Sequence, residues 1–255
     1  MKLTARNYHS RAANREYMST SQFKAFEKCP AAAIAEINGK YKREKTVALL
    51  VGSYVDAYFE GTLDAFRKST PEIFKRDGTL KADFMQADDI IRRIEKDRYF
   101  MKQLSGEKQV IMTGEIKGVR VKIKIDSLLP DKIVDLKIVR DFEPMRVPDR
   151  GLLPWFEAWG YDMQGAIYQE IVRQNIGKRL PFELAAATKE KITDIDVINL
   201  GQHHLDFALE RVEQNIEMYD AMKQRIVTPD RCEKCEYCKM SKRLKASTDA
   251  EIYYM

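Results

Sequence analysis

Two acidic residues and a lysine occur in a strand-like part of the sequence, in an order that suits metal-dependent chemistry. Asp135 and Lys137 lie two residues apart in the apolar stretch KIVDLKIV, so their side chains share one face of a strand. Asp126 ends the preceding strand-like stretch, and a short connection can bring it beside Asp135. Adjacent carboxylates repel each other unless a cation lies between them, and Mg²⁺ or Mn²⁺ prefers such oxygen ligands. The spacing therefore predicts a divalent-metal site able to act on a phosphate.

An aspartate and a lysine at this spacing can also form a simple ion pair on the surface of a sheet. The neighbours of Asp135 favour a central strand, because Val134, Leu136 and Ile138 are apolar and alternate with the charged residues. A charged side chain on a central strand needs a partner, since burial of an unpaired charge is unfavourable. We therefore interpret Asp135 and Lys137 as candidate catalytic residues.

Two helical stretches supply further polar residues that could reach the same place. Asp56 is the only charged residue between Lys45 and Glu60, in an otherwise apolar helical stretch that also contains small residues. It is either a site residue or a satisfied aspartate at the edge of the core. Gln164 and Tyr168 are four residues apart and so share one helix face. That face is either part of the site or the polar side of an ordinary amphipathic helix.

The cysteines form a second candidate site. Cys232, Cys235 and Cys238 follow the spacing C-x-x-C-x-x-C, which lets several thiolates turn toward one metal. Three ligands leave a tetrahedral site or an iron–sulfur cubane incomplete, and Cys29 is the fourth cysteine of the chain. Disulfides are not expected in a reducing compartment, so metal ligation is favoured over bridges.

Composition places the chain among charged globular proteins. It has 255 residues, a net charge of +5 and 33% charged residues, so a nucleic-acid partner is permitted. The sequence contains no apolar run of the roughly 20 residues needed to span a bilayer, and its first residues lack an apolar leader segment. We expect a cytoplasmic protein without a membrane partner. Because no G-x-x-x-x-G-K-[ST] loop occurs, we expect no intrinsic ATP use.

The elements that must position these residues follow from hydrophobic periodicity and turn signals. They predict an α/β fold with a central mixed sheet flanked by helices, in the order α-β-β-β-α-β, in a single domain over 1–255. A helical part over 1–105, whose first 17 residues are expected to be mobile or loosely packed, precedes a core sheet with a helix over 106–192. A C-terminal helix and the cysteine-bearing tail occupy 193–255. The predicted elements are helices at 18–30, 46–60 and 85–104, three antiparallel strands within 108–139, a helix at 155–175, a strand at 181–191 and a helix at 202–226.

Taken together, these residues resemble the PD-(D/E)xK (restriction-endonuclease-like) nuclease superfamily, and within it the RecB-like and RecE-like exonucleases. The shared pattern is an acid ending one core strand, D/E-x-K on the next and Q-x-x-x-Y on the following helix. The resemblance covers roughly residues 19–240. It implies that Asp126, Asp135 and the backbone carbonyl of Leu136 bind Mg²⁺ or Mn²⁺, and that Lys137 serves the attacking water.

The resemblance also implies that Gln164 and Tyr168 support the site or contact DNA. The chain departs from the pattern where many relatives have histidine in a G-x-x-x-H context, because here the residue is Asp56. An aspartate can also bind a hard cation, so Asp56 joins the predicted metal ligands. Glu115 is a weaker candidate ligand. The nearby sequence offers no replacement histidine, and the histidine pair in the long C-terminal helix (His203 and His204) is expected at the surface.

The cysteine pattern is similar to that of the four-cysteine RecB-like nucleases, which include AddB-type and CRISPR-associated enzymes. In those proteins one cysteine before the nuclease core and three after it hold a [4Fe–4S] cluster. The resemblance therefore implies such a cluster at Cys29, Cys232, Cys235 and Cys238, as a staple between the two ends of the chain. Zn²⁺ is the first alternative, and four free thiols are the second.

By this resemblance we expect a metal-dependent exonuclease that hydrolyses DNA at linear duplex ends. Relatives of this kind come from phages or prophages, act with a single-strand annealing recombinase and form homo-oligomeric rings around DNA. One alternative is a CRISPR-adaptation nuclease that trims DNA before integration. Another is a catalytically impaired DNA-binding protein on the same fold, which the departure at Asp56 would favour. A third is a zinc-stapled interaction module, which would not need the acidic residues.

Overall fold

A mixed β-sheet forms the centre of the chain. The computed structural model describes residues 1–148, 150–244 and 246–247. Its strands are β1 Glu107–Ile116, β2 Val119–Leu128, β3 Ile133–Val139, β4 Met145–Val147, β5 Gly151–Leu153, β6 Phe182–Thr188 and β7 Ile195–Asn199. Five strands pair in the order β1-β2-β3-β6-β7, and β4 and β5 form a separate hairpin.

The strand directions agree with the predicted topology in the central part of the sheet. β1 and β2 are antiparallel, and their turn places Lys117 and Gly118 at positive φ values of 49° and 73°. β3 is antiparallel to β2 and parallel to β6, while β7 is antiparallel to β6. The crossover from β3 to β6 contains a helix, as a parallel pair requires.

Helices cover both faces of the sheet, and each face has its own apolar core. One core contains Val121, Ile123 and Phe182 from the strands, and the other contains Val134 and Leu136. This alternation along neighbouring strands places Asp135 and Lys137 on the face of the first core. The helices are α1 Arg11–Glu16, α2 Thr20–Lys28, α3 Pro30–Ile37, α4 Val47–Phe59, α5 Leu63–Ser69, α6 Ala82–Glu95, α7 Arg98–Gln103, α8 Trp155–Ala158, α9 Tyr161–Ile176, α10 Gln202–Lys223 and α11 Glu236–Met240, with a short 3₁₀ helix at Pro71–Ile73.

The predicted α/β class and the order α-β-β-β-α-β are confirmed. Several elements were not predicted, namely α1, α3, α5, α11, the short 3₁₀ helix, the β4–β5 hairpin and β7. β7 lies in the segment 193–255, which was assigned to a helix and a tail, because its five residues, IDVIN, include two polar ones and resemble a loop. α3 was missed because Pro30 was interpreted only as the end of α2. Proline at the first position of a helix lacks an N–H that the helix would leave unpaired, so α3 begins there.

Two predicted helices are each divided in the structure. The prediction over 85–104 corresponds to α6 and α7, which are separated at Asp97, whose carboxylate accepts the N–H of Phe100 at 2.8 Å. The prediction over 155–175 corresponds to α8 and α9. Gly160 lies between them in the left-handed conformation, with φ of 64°. A residue of this backbone conformation ends one helix and redirects the chain into the next.

The prediction that the first 17 residues are loosely packed is wrong. Tyr8 and Tyr17 are buried, and Met18 forms a bridge with Val121 of β2. The cause is Lys122, whose side chain is only 1% exposed and whose ammonium donates to the carbonyl of Tyr8 and to the Asn14 side chain. The polar N-terminal residues thus satisfy a buried charge of the sheet.

The helices of the described residues include none that is both long enough and apolar enough to span a bilayer.

Candidate active site and cysteine centre

An open cavity of about 840 Å³ lies where α2, α4, α9, β2 and β3 meet. It brings together residues from distant parts of the sequence, from Tyr8 to Tyr168. The side chains that were predicted as catalytic or metal-binding all line it, namely Asp56, Asp126, Asp135, Lys137, Gln164 and Tyr168.

The two strand aspartates face each other where β2 and β3 separate. The strands pair only through Ser127 with Val134 and Leu128 with Ile133, so Asp126 and Asp135 occupy the next opposed positions. There the carboxylate of Asp126 takes the place of a main-chain acceptor, since its Oδ2 accepts the N–H of Leu136 at 3.1 Å. The place where the pairing of β2 and β3 ends therefore holds the Asp126 carboxylate beside that of Asp135.

Lys137 lies beside the acidic group, which consists of Asp56, Asp126 and Asp135. Its ammonium forms an ion pair with Oδ2 of Asp135 and donates to the carbonyl oxygen of Leu136 at 3.2 Å. Proximity to Asp135 and Asp126 raises the pKa of Lys137 and outweighs the effect of its burial. The lysine is therefore a cation in this site. The carbonyl of Leu136, a predicted metal ligand, points toward the same group.

The α9 residues of the predicted pattern have two different partners. Gln164 donates through Nε2 to Oδ1 of Asp135 at 2.7 Å, so it orients that carboxylate directly. Tyr168 donates to the backbone carbonyl of Lys124 at 2.9 Å and holds α9 against β2. Gly165 allows α9 to lie close to β6, because a Cβ at this position would lie 2.6 Å from Cδ1 of Phe182. Of the two, only Gln164 contacts the acidic group.

The carboxyl groups of Asp56 and Asp135 have raised pKa values in the cavity. Burial raises the pKa of the Asp56 carboxyl well above its usual range, and the Asp126 carboxylate raises it further. Burial likewise raises the pKa of Asp135 to about 7, with Lys137 opposing the shift and Asp126 adding to it. Neighbouring carboxylates repel each other when they are ionised together. A hard divalent cation bound between them removes this repulsion, so such carboxyl groups are suitable ligands for it. The residues present therefore fit Mg²⁺ or Mn²⁺, and the predicted ligands Asp56, Asp126, Asp135 and the Leu136 carbonyl would hold the cation.

The cavity also contains basic and hydroxyl residues that the sequence interpretation did not include. Lys24 and the first residues of α2 line one side, and His9, Lys45 and Lys124 line another. No histidine was expected near the site from the neighbouring sequence. In the structure, however, His9 lies in the cavity wall, because the N-terminal segment packs there. The position of His9 could have been predicted only if the N-terminal segment had been expected to pack against the sheet.

The weaker candidates lie elsewhere. The backbone of Glu115, on β1, bonds to the Gln174 side chain, and the residue does not line the cavity. His204 pairs with Glu157 at 3.1 Å, and His203 is exposed beside it, so both are outside the acidic group as expected.

The four cysteines form a second cluster, away from the cavity. Their sulfur atoms all lie within 4.8 Å of one another, and Sγ of Cys238 is 3.6 Å from that of Cys29 and 3.9 Å from that of Cys232. Backbone N–H groups of Lys234 and Cys235 lower the pKa of the Cys232 thiol to about 6, which favours a thiolate. Burial instead raises the pKa of the Cys238 thiol to about 12.

The sulfur spacing can be compared with the two metal centres considered for these cysteines. Four thiolates about 2.3 Å from one tetrahedral Zn²⁺ lie roughly 3.8 Å apart. In a [4Fe–4S] cluster each thiolate binds a different iron, so the sulfurs must be more widely spaced. The observed separations of 3.6 and 3.9 Å fit a single tetrahedral ion, and a cubane would require the sulfurs to move apart.

Comparison with known proteins supports a PDDEXK-like fold. Residues 19–241 match the model of a family described as a PDDEXK-like domain of unknown function (DUF3799). The chain is also similar to a protein from Eubacterium rectale whose crystal structure is described as that of a "putative exonuclease". The two are 49% identical, the alignment covers 99% of this chain and 98% of the other, and the TM-score is 0.96. Among curated proteins none matches the chain significantly.

Proposed function

We propose that this chain, which belongs to the DUF3799 family of PDDEXK-like domains, is a nuclease that hydrolyses DNA phosphodiester bonds with the help of Mg²⁺ or Mn²⁺. The observation that carries the proposal is the convergence of Asp56, Asp126 and Asp135 on one cavity, with Lys137 in contact with Asp135. A structural ion pair would not need two further half-buried carboxyls beside it. A hydrolytic metal site does need them.

The chain's own residues have separate tasks in this proposal. A bound divalent cation would supply the positive charge that activates water and stabilises the phosphate in the transition state. Asp126 and Asp135 would hold that cation, and the Leu136 N–H and Gln164 fix their orientation. Lys137, kept protonated by Asp135 and Asp126, is suited to stabilising developing negative charge rather than to removing a proton.

For the substrate, we propose linear duplex DNA degraded from an end. The support is the similarity to the E. rectale protein named as an exonuclease, together with an open cavity whose walls carry Lys24, Lys45 and Lys124. Within this proposal the chain acts in the cytoplasm, in phage or prophage recombination, beside a single-strand annealing protein and as a ring of identical copies. A trimming nuclease for CRISPR adaptation would use the same site on a different DNA end.

The test is a digestion assay with a chelator control. Linear duplex and closed circular DNA are incubated with Mg²⁺ or Mn²⁺ and with wild type, Lys137→Ala or Lys178→Ala, the last an exposed lysine outside the cavity. We expect loss of linear DNA only, abolished by chelator and by Lys137→Ala and retained by Lys178→Ala. Folded wild-type protein that leaves both DNAs intact with both metals would refute the enzyme and support a DNA-binding protein.

At the cysteines we propose a metal centre with a structural role. It would fasten the C-terminal segment to the start of α3, where the N–H of Ala31 also donates to the carbonyl of Asp230 at 2.9 Å. The family resemblance favours [4Fe–4S], whereas the sulfur separations favour the alternative, one Zn²⁺. Metal and acid-labile sulfide analysis after anaerobic purification separates them, since only the cluster contains iron and sulfide.

A further inference from the structure

The N-terminal end of α2 forms one wall of the cavity, and nothing in the proposed hydrolysis uses it. Ser19, Thr20, Ser21 and Lys24 all line the cavity together with Asp135. Ser19 caps the helix, since its Oγ accepts the N–H of Gln22 at 3.3 Å. The first N–H groups of a helix have no partner within the helix and carry partial positive charge. This wall of the cavity is therefore electropositive.

The amine of Lys24 has no fixed polar partner among the described residues. Among the described residues no acidic side chain forms an ion pair with it, and no hydrogen bond from its ammonium is found. Its Nζ lies 4.7 Å from the ring centre of Tyr161, while Nζ of Lys137 lies 5.3 Å from the same ring. Burial and the nearby Lys137 lower the pKa of Lys24 to about 7, although Asp135 and Asp162 oppose the shift. An anion in the cavity would satisfy this amine.

Thr20 provides an independent sign of a ligand. The residue is only 7% exposed, lines the cavity, and its Oγ1 has no hydrogen-bond partner within the described residues. A buried hydroxyl is normally hydrogen-bonded, because leaving it unpaired is unfavourable. A ligand oxygen that reached the end of α2 would satisfy Thr20 and Lys24 together.

We propose that Thr20, Lys24 and the N-terminal end of α2 bind a second phosphate of the DNA strand, beside the phosphate that is hydrolysed at the acidic group. This inference rests on the proposed function, because it places the DNA in the same cavity. Lys137 is already engaged by Asp135, so Lys24 is the lysine of this wall that is available to the neighbouring phosphate. The phosphate has two sources, a terminal phosphate at the strand end or an internal phosphodiester.

The test measures DNA binding rather than cleavage, so it does not depend on turnover. Duplexes with an internal fluorophore carry a 5′-phosphate, a 3′-phosphate or only hydroxyl ends, and their anisotropy is followed with Ca²⁺ in place of Mg²⁺. We expect Lys24→Met and Thr20→Val to weaken binding about tenfold, as loss of a charge-assisted hydrogen bond predicts. Lys28→Met, one turn further along α2 and exposed, should bind as wild type does.

The duplex ends separate the two sources. If the phosphate is terminal, wild type prefers one phosphorylated end and the variants lose only that preference. If it is internal, the variants weaken binding to all duplexes equally. If the Lys24→Met protein is unfolded, it is replaced by Lys24→Gln, which keeps part of the aliphatic side chain and adds a polar group.

The inference is overturned if folded Lys24 and Thr20 variants bind every duplex as wild type does, or if wild type binds none. A wild type that binds but does not digest DNA would refute the nuclease alone. Unchanged binding by the variants of an active enzyme would refute only the second phosphate site.

Discussion

The acidic cavity and the cysteine cluster are both built from residues far apart in the sequence, but they differ in what they do for the fold. In the cavity, Asp56 and Asp135 have raised pKa values because their ionised forms are unfavourable there. At the cysteines, the sulfurs lie at ligand spacing and connect α3 to the C-terminal segment. We infer that the first site is maintained for chemistry at a cost in stability, and the second for stability alone.

The largest expected effect is on activity at the cavity. Lys137→Ala should lower the rate of linear-DNA digestion by roughly 10²–10⁴-fold, the range for loss of a catalytic side chain at a reacting group. The measurement is the initial rate of nucleotide release with saturating Mg²⁺, with Lys178→Ala as the matched control. A rate within a factor of two of wild type would show that the lysine is not part of the reaction.

The second prediction concerns stability at the cysteines. Cys235→Ser should release the bound metal and lower the free energy of unfolding by roughly 3 kcal/mol or more, because a structural metal binds only the folded chain. Thermal unfolding and metal content are compared with those of Lys234→Ala, an exposed neighbour. Activity per folded molecule should persist at low temperature. A variant that is fully stable yet inactive would reverse the roles assigned to the two sites.

A third prediction concerns the residue that orients Asp135. Gln164→Leu removes the 2.7 Å hydrogen bond to Oδ1 and should weaken Mn²⁺ binding or activity about 10–100-fold, as for other residues that orient metal ligands. Gln174→Leu, on the same helix but bonded to the backbone of Glu115, is the control. Equal behaviour of the two variants would indicate that Gln164 only packs.

The smallest expected effect is an increase in stability. Asp56→Asn removes a buried carboxyl whose pKa is raised, so in metal-free protein it should raise the free energy of unfolding by about 1 kcal/mol or more at alkaline pH. The advantage should shrink as the pH falls, because Asp56 in the folded wild type then becomes protonated and loses its unfavourable charge. Chemical denaturation at several pH values measures it. A variant that is less stable than wild type throughout would mean that Asp56 is a satisfied core residue.

The sequence was sufficient for the parts of the cavity that local spacing fixes. Asp135 and Lys137 share a strand face, and Gln164 and Tyr168 share a helix face. Asp126 was expected to end its strand and lies two residues before the end of β2, whose partner β3 follows closely. Each placement depends on a regular period of side-chain direction. Local spacing therefore identifies the site residues on the two neighbouring strands and on α9, whereas Asp56 on α4 was singled out as the lone charge of an apolar helical stretch.

The remaining wall of the cavity depends on packing between distant segments, which no local period shows. His9 reaches the cavity because the buried charge of Lys122 holds the N-terminal segment on β2. Lys24 reaches it because α2 packs against α9, and its sequence context is an ordinary helix start. The break at Gly160 was also missed, since the surrounding residues are compatible with one continuous helix.

The central claim is that the aspartates of the cavity hold the divalent cation used on DNA. The most direct measurement is anomalous diffraction from crystals soaked in Mn²⁺, with the wild type beside Asp135→Asn. The account predicts a manganese peak in the wild type in contact with Asp126, Asp135 and the carbonyl of Leu136, and its loss in the variant. A wild-type cavity without a peak in crystals that bind manganese elsewhere, or a peak unaffected by Asp135→Asn, would contradict it.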